Sequence, residues 1–98
     1  VTDAERELVD RARARRDEIV ELARELVRIP SVNPYSGDDS AASEAEVQKT
    51  VAAKLEGLGA EIDVFDCPAD IYERMDVLGP RGRDFSGRPN VVARWTFG

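Results

Sequence analysis

The chain is 98 residues long and sets 14 Lys and Arg against 20 Asp and Glu, a net charge of -6 that barely changes around neutral pH because it has no histidine. That balance lacks the basic footprint of a duplex-binding module. The absence of histidine excludes a Ser-His-Asp triad, a Cys-His pair, a histidine zinc site or an imidazole proton shuttle built from this chain alone. The length suits one small domain, but twelve of the apolar residues are alanines, so the core is expected to be thin. Cys67 has no partner for an internal disulfide. No apolar run approaches the roughly 20 residues that span a bilayer, and no secretory leader is recognisable. The expectation is a soluble, cytoplasmic protein.

From Asp3 to Ile29, apolar residues recur at Leu8, Ala12, Ile19, Ala23 and Leu26, with Val9, Val20 and Val27 beside them. This spacing predicts one long amphipathic helix. Arg15 with Glu18, and Glu21 with Glu25, fall within i,i+3 or i,i+4 reach on its charged face. Pro30 ends the helix by constraining Ile29 and removing a donor. Residues 31–42 are dense in Ser, Asn, Pro, Gly and Asp and read as a loop. Ser43 and Glu46 have the spacing of a capping box opening a second helix, whose core face is Val47, Val51, Leu55 and Leu58. Gly59 is placed to be its left-handed C-terminal cap.

Residues 60–66 alternate apolar and polar side chains and predict a half-buried strand. A second strand is expected from Asn90 to Phe97, with Val91, Ala93, Trp95 and Phe97 on one face. Between them lies a long excursion, with a short helical turn over Asp70–Leu78 and then an Arg- and Gly-rich stretch. Two helices and two strands make an α/β unit, yet a two-stranded sheet is marginal alone. The last strand meets Gly98 directly, which reads as an interruption.

Several groups invite chemical readings. Glu18, Glu21 and Glu25 stand on neighbouring helical turns as metal-binding carboxylates can, but interleaved arginines and the lack of a Glu-x-x-His favour a solvated face. Asp38 and Asp39 lack the ligand series of a calcium loop. Arg81, Arg83 and Arg88 with Phe85 resemble a short basic and aromatic segment for an anionic ligand. Asp76, Asp84 and the whole-chain charge favour instead a mobile, solvated loop. Cys67, beside Asp66 and without histidine, reads as an inert thiol. Gly57-Leu58-Gly59 follows a helix and lacks a third glycine, so it is no dinucleotide fingerprint.

The residues also carry a resemblance. Residues 21–34, including Arg28-Ile29-Pro30-Ser31-Val32-Asn33-Pro34, are followed by Ser43-Glu44, then Leu55-Glu56-Gly57-Leu58-Gly59-Ala60, then Gly87-Arg88-Pro89-Asn90-Val91-Val92-Ala93. This ordered series resembles the N-terminal portion of the acetylornithine deacetylase and succinyl-diaminopimelate desuccinylase family of zinc metallopeptidases, over about Glu18 to Gly98. The resemblance implies a homodimeric enzyme about four times this length, with a smaller dimerisation domain inserted in an α/β, mixed-sheet, zinc-exopeptidase-like catalytic domain. It implies hydrolysis of the amide bond of N-acyl amino acids or peptides by two zinc (or cobalt) ions bridged by an aspartate and a water, with a glutamate as general base. Two metals about 3.5 to 4 Å apart activate the water and stabilise the oxyanion. In that family the first ligands, a His-x-Asp pair, fall after the position of Gly98, so no catalytic, cofactor or metal residue is carried over to residues 1–98. Their expected role is scaffold, inactive in isolation, with the Leu26 and Val51 faces of the two helices laid on the sheet and Trp95 buried in it. The partners implied are the remainder of the same polypeptide and a small substrate, with no nucleic acid and no membrane. The alternative is a stand-alone acidic helical interaction module.

Overall fold

The structure, a computed structural model, describes residues 1–31, 44–75 and 82–98. They form four helices and one sheet, in the order α1 (Asp3–Ala14), α2 (Arg16–Arg28), α3 (Glu44–Gly57), β1 (Glu61–Phe65), α4 (Ile71–Arg74) and β2 (Asn90–Arg94). The expected capping residue Ser43, Asp38, Asp39 and Arg81 lie outside the described residues, as does the 76–78 part of the expected helical turn. That turn is the short α4.

The first helix is interrupted where one continuous helix was expected. Thr2 opens α1 with a full capping box: its hydroxyl accepts from the Glu5 N–H at 3.2 Å, and the Glu5 carboxylate accepts from the Thr2 N–H at 2.6 Å. The ladder breaks at Arg15, whose φ of -99° and ψ of 15° leave its N–H on the Ala12 carbonyl at 3.2 Å. The break coincides with a gap in the apolar stripe: after Leu8 and Ala12 the next positions on that face are Arg15 and Arg16. Arg15 instead bonds Glu18 at 2.7 Å.

β1 and β2 pair antiparallel, with Glu61 opposite Arg94, Ile62 opposite Ala93 and Val64 opposite Val91. Both strands are shorter than expected, and the register explains the second. Continuing β2 through Trp95 to Phe97 would require partners before Glu61. Those residues are committed to ending α3: the Gly59 N–H bonds Glu56 at 2.9 Å, the Ala60 N–H bonds Leu55 at 3.1 Å, and Gly59 takes a φ of 87°. This is a Schellman cap, and it makes the anticipated use of a left-handed glycine. Leu58, expected in the core, falls in this turn and is 65% exposed.

α3 alone of the long helices packs on both strands. Its 14 residues are about 21 Å long, against about 17 Å for a five-residue strand, so it spans the face bearing Ile62, Val64, Val91 and Ala93, with Val64 left 53% exposed. The Leu26 face of the first helix makes no comparable contact with either strand, and that expectation is overturned. Leu26 is half-buried and Glu25 meets Lys54 of α3 at 3.5 Å, but α1 and most of α2 are uncovered. Trp95 is likewise 40% exposed rather than buried. Its indole N–H donates to the Leu58 carbonyl at 3.1 Å, tying the end of β2 to the end of α3. Ala60, 8% exposed, is the one buried apolar residue among those described. The radius of gyration is 17.8 Å, where about 13 Å is usual for a compact chain of this size.

The two glycines closing α3 predict opposite outcomes. Neither would bring a new Cβ within 4 Å of another group. Gly59→Ala should therefore lose about 1 to 2 kcal/mol through left-handed strain alone. Gly57→Ala, inside the helix, should gain roughly 0.5 to 1 kcal/mol. Circular-dichroism melts of the two variants measure the split.

Candidate functional site

The densest polar arrangement lies where α3 begins and β2 is launched. Asp84 accepts the Ser86 N–H at 2.9 Å, closing a small side-chain turn. Gly87 then takes a φ of 69°. This reversal delivers Arg88 to Glu44, the first residue of α3. Arg88 Nε donates to one carboxylate oxygen at 2.8 Å and Nη2 to the other at 2.7 Å, with the two side chains 13% and 28% exposed. Arg88 also stands 6.0 Å from the centre of the Phe85 ring, which in turn lies 6.0 Å from Tyr72 of α4.

Arg88 is thus no part of a solvated basic loop, as the sequence suggested; it is the most enclosed cation among the described ion pairs. The reason is geometric. A planar guanidinium satisfies both carboxylate oxygens at once, and the ring of Phe85 shields it from water. The same hydrogen bonds, ahead of the opposing effect of desolvation, hold the Glu44 carboxyl below its usual range. A cleft of about 260 Å³ adjoins the pair, lined by Gln48, Cys67, Phe85 and Asn90 as well as Glu44 and Arg88. With both Glu44 oxygens accepting from Arg88 and the carboxyl held below its usual range, this carboxylate is a weak base. The cleft is also smaller than the roughly 300 to 1,000 Å³ usual for small-molecule sites.

The other candidates are not brought together. Glu18 is held by Arg15, Glu21 lies 3.7 Å from both Arg24 and Arg28, and Glu25 faces Lys54. Glu21 and Glu25 therefore answer different cations rather than each other. Arg83 is half-buried, and Cys67 is a half-buried free thiol at the cleft edge. Among the described residues no three His, Cys, Asp or Glu side chains converge into a metal-holding group. The donor set does not fit a pair of zinc ions: imidazole is missing from the chain, and these carboxylates face cations. No helix among the described residues is long and apolar enough to cross a membrane.

The Glu44–Arg88 pair escaped sequence reasoning because its members are 44 residues apart. The one local signal was Asp-x-Ser-Gly-Arg-Pro, a turn followed by a proline that stiffens the entry to a strand. No protein-family model, curated protein or solved structure matches the chain.

This geometry predicts a pH-dependent contribution. A carboxyl depressed in the folded state stabilises fully above its unfolded value of about 4.3, and that stabilisation is lost as pH falls through the folded value. Wild type should lose stability on acidification more steeply than Glu44→Gln, in urea titrations compared at pH 7 and pH 4. At pH 7, Arg88→Ala should cost about 1 to 3 kcal/mol. Lys49→Ala, which removes an exposed pair with Glu46, should change stability by no more than about 0.5 kcal/mol.

Proposed function

We propose that residues 1–98 form the opening part of the α/β catalytic domain of a cytoplasmic, homodimeric dizinc amidohydrolase that cleaves N-acyl amino acids or peptides, and that they serve it as scaffold. The observation that carries this reading is the use made of the Gly87-Arg88-Pro89-Asn90-Val91-Val92 block. In this chain those residues launch β2, and Arg88 bonds Glu44 at the start of α3. A scaffold segment would spend its distinctive residues in that way. The thin core supports the same reading, since the second face of the sheet presents Phe65 at 43% and Val92 at 46% exposure to whatever packs there. The metal ions, the general base and the substrate contacts belong, on this reading, to other parts of the enzyme.

A second reading, an interaction module without catalysis, is favoured by the uncovered apolar residues of α1 and α2, among them Leu8, Ile19 and Val27. Metal analysis separates the two. The product of the complete reading frame should carry a His-x-Asp after the position of Gly98, retain two zinc ions per chain through gel filtration and hydrolyse N-acetyl or N-succinyl amino acids. The 98-residue chain alone should do neither. A complete product with no such residues and no retained zinc would exclude the hydrolase and leave the interaction module.

A further inference from the structure

The interruption at Arg15 leaves α1 and α2 unequally supported. α2 is held at its far end, where Leu26 and Ile29 are half-buried and Glu25 meets Lys54 of α3. α1 has no such hold: every one of its residues is exposed, and its one substantial neighbour is α2. A helix of 12 residues without tertiary cover is marginal in water. What maintains α1 is local, namely the Thr2–Glu5 capping box and exposed ion pairs within the helix, each of which contributes little. Across the break, α2 begins with no side-chain cap. The junction also has a distinctive composition, since Arg11, Arg13, Arg15 and Arg16 fall together with only alanines between them.

We propose that α1 unwinds as a unit while the rest of the molecule stays folded, and that this makes the Arg15–Arg16 peptide bond a cleavage site for an arginine-directed endopeptidase. The inference is independent of the hydrolase reading. An endopeptidase binds several residues on each side of the bond in extended form, which a helix does not offer. Opening α1, with fraying of the uncapped first turn of α2, presents that form and separates no buried apolar surface. The Arg15 guanidinium is held by the exposed Glu18 pair, which releases at little cost. Other arginines are better protected. Opening the chain around Arg28 would pull Leu26 and Ile29 from their contacts and break the Glu25–Lys54 pair, Arg88 is bonded to Glu44, and Arg94 lies in β2. Hydrolysis places the hydroxyl of water on the Arg15 carbonyl carbon and its proton on the Arg16 nitrogen as the C–N bond breaks, releasing residues 1–15.

Limited digestion of the 98-residue chain with an arginine-specific endopeptidase, followed by mass spectrometry, tests the proposal. The first large product should begin at Arg16. Thr2→Ala, which removes the capping box at the far end of α1, should speed that cut about fivefold, because cleavage follows the population of the open form. Glu44→Gln, which weakens the link between α3 and β2, should leave its rate within about twofold. A first cut at any other arginine overturns the proposal. So does a rate indifferent to Thr2→Ala, which would mean fraying at the break alone, or acceleration by Glu44→Gln, which would mean that cleavage waits on unfolding of the whole chain. Should Glu44→Gln fail to fold, hydrogen exchange of the wild type decides. Protection factors over Glu7–Ala14 should agree within about threefold and lie at least about tenfold below those of Val51–Leu55 in α3, and equal protection of the two segments overturns the proposal.

Discussion

The bidentate bond between Arg88 and Glu44 determines how the rest of the molecule is put together. It joins the first residue of α3 to the entry of β2, while Trp95 joins the exit of β2 to the Leu58 carbonyl at the other end of the helix. A helix held at both ends over a two-stranded sheet has its axis and its register defined with little core to assist. That matters because burial contributes so little: Ala60 is the one buried apolar residue among those described. The ion pairs within the helices, and the one between Glu25 and Lys54, have both side chains at least 45% exposed, a setting in which each is worth about 0 to 1 kcal/mol. The Arg88 pair differs in enclosure and in having two aligned hydrogen bonds, and it acts between elements rather than within one helix.

The helix that packs is also the least one-sided of the three long ones, and the two most amphipathic are left uncovered. Apolar patterning therefore did not decide which helix covers the sheet. Connection did. α3 runs through the Gly59 turn directly into β1, so its docking closes only a short loop, at small entropic cost. Alanines at 45 and 52 and valines at 47 and 51 give it a low-relief surface suited to close approach, whereas α2 offers the sheet no comparable covalent proximity.

The legible and illegible parts of the fold divide along the same line. Gly59 could be read as a left-handed cap because a Schellman turn is local, and the strand cores could be read because alternation is local. The Arg15–Glu18 pair was legible for the same reason. What sequence reasoning missed needed a distant partner. The extent of β2 depends on where α3 ends on the opposite strand. The role of Arg88 depends on a carboxylate 44 residues earlier, and its arginine-rich neighbourhood pointed the wrong way, to solvent. The break at Arg15 lies between the two cases. It is local, but it appears only as a missing apolar residue in a stripe that is otherwise continuous, and an absence of that size is easily read through.

These contacts also bear on chemistry. A catalytic carboxylate works through an oxygen lone pair directed at substrate, water or metal, and a guanidinium bound side-on takes up one lone pair of each oxygen. Holding the Glu44 carboxyl below its usual range strengthens the structural link and, by the same hydrogen bonds, weakens the group as a base. The exposed carboxylates of α1 and α2 are in a comparable position, since Glu7, Glu18 and Glu21 each lie against an arginine three or four residues away in sequence. Their partners are exposed and can exchange, however, whereas Arg88 is enclosed. Among the described ion pairs the enclosed one therefore joins α3 to the entry of β2, while the exposed pairs of Glu7, Glu18 and Glu21 link side chains three or four residues apart in sequence.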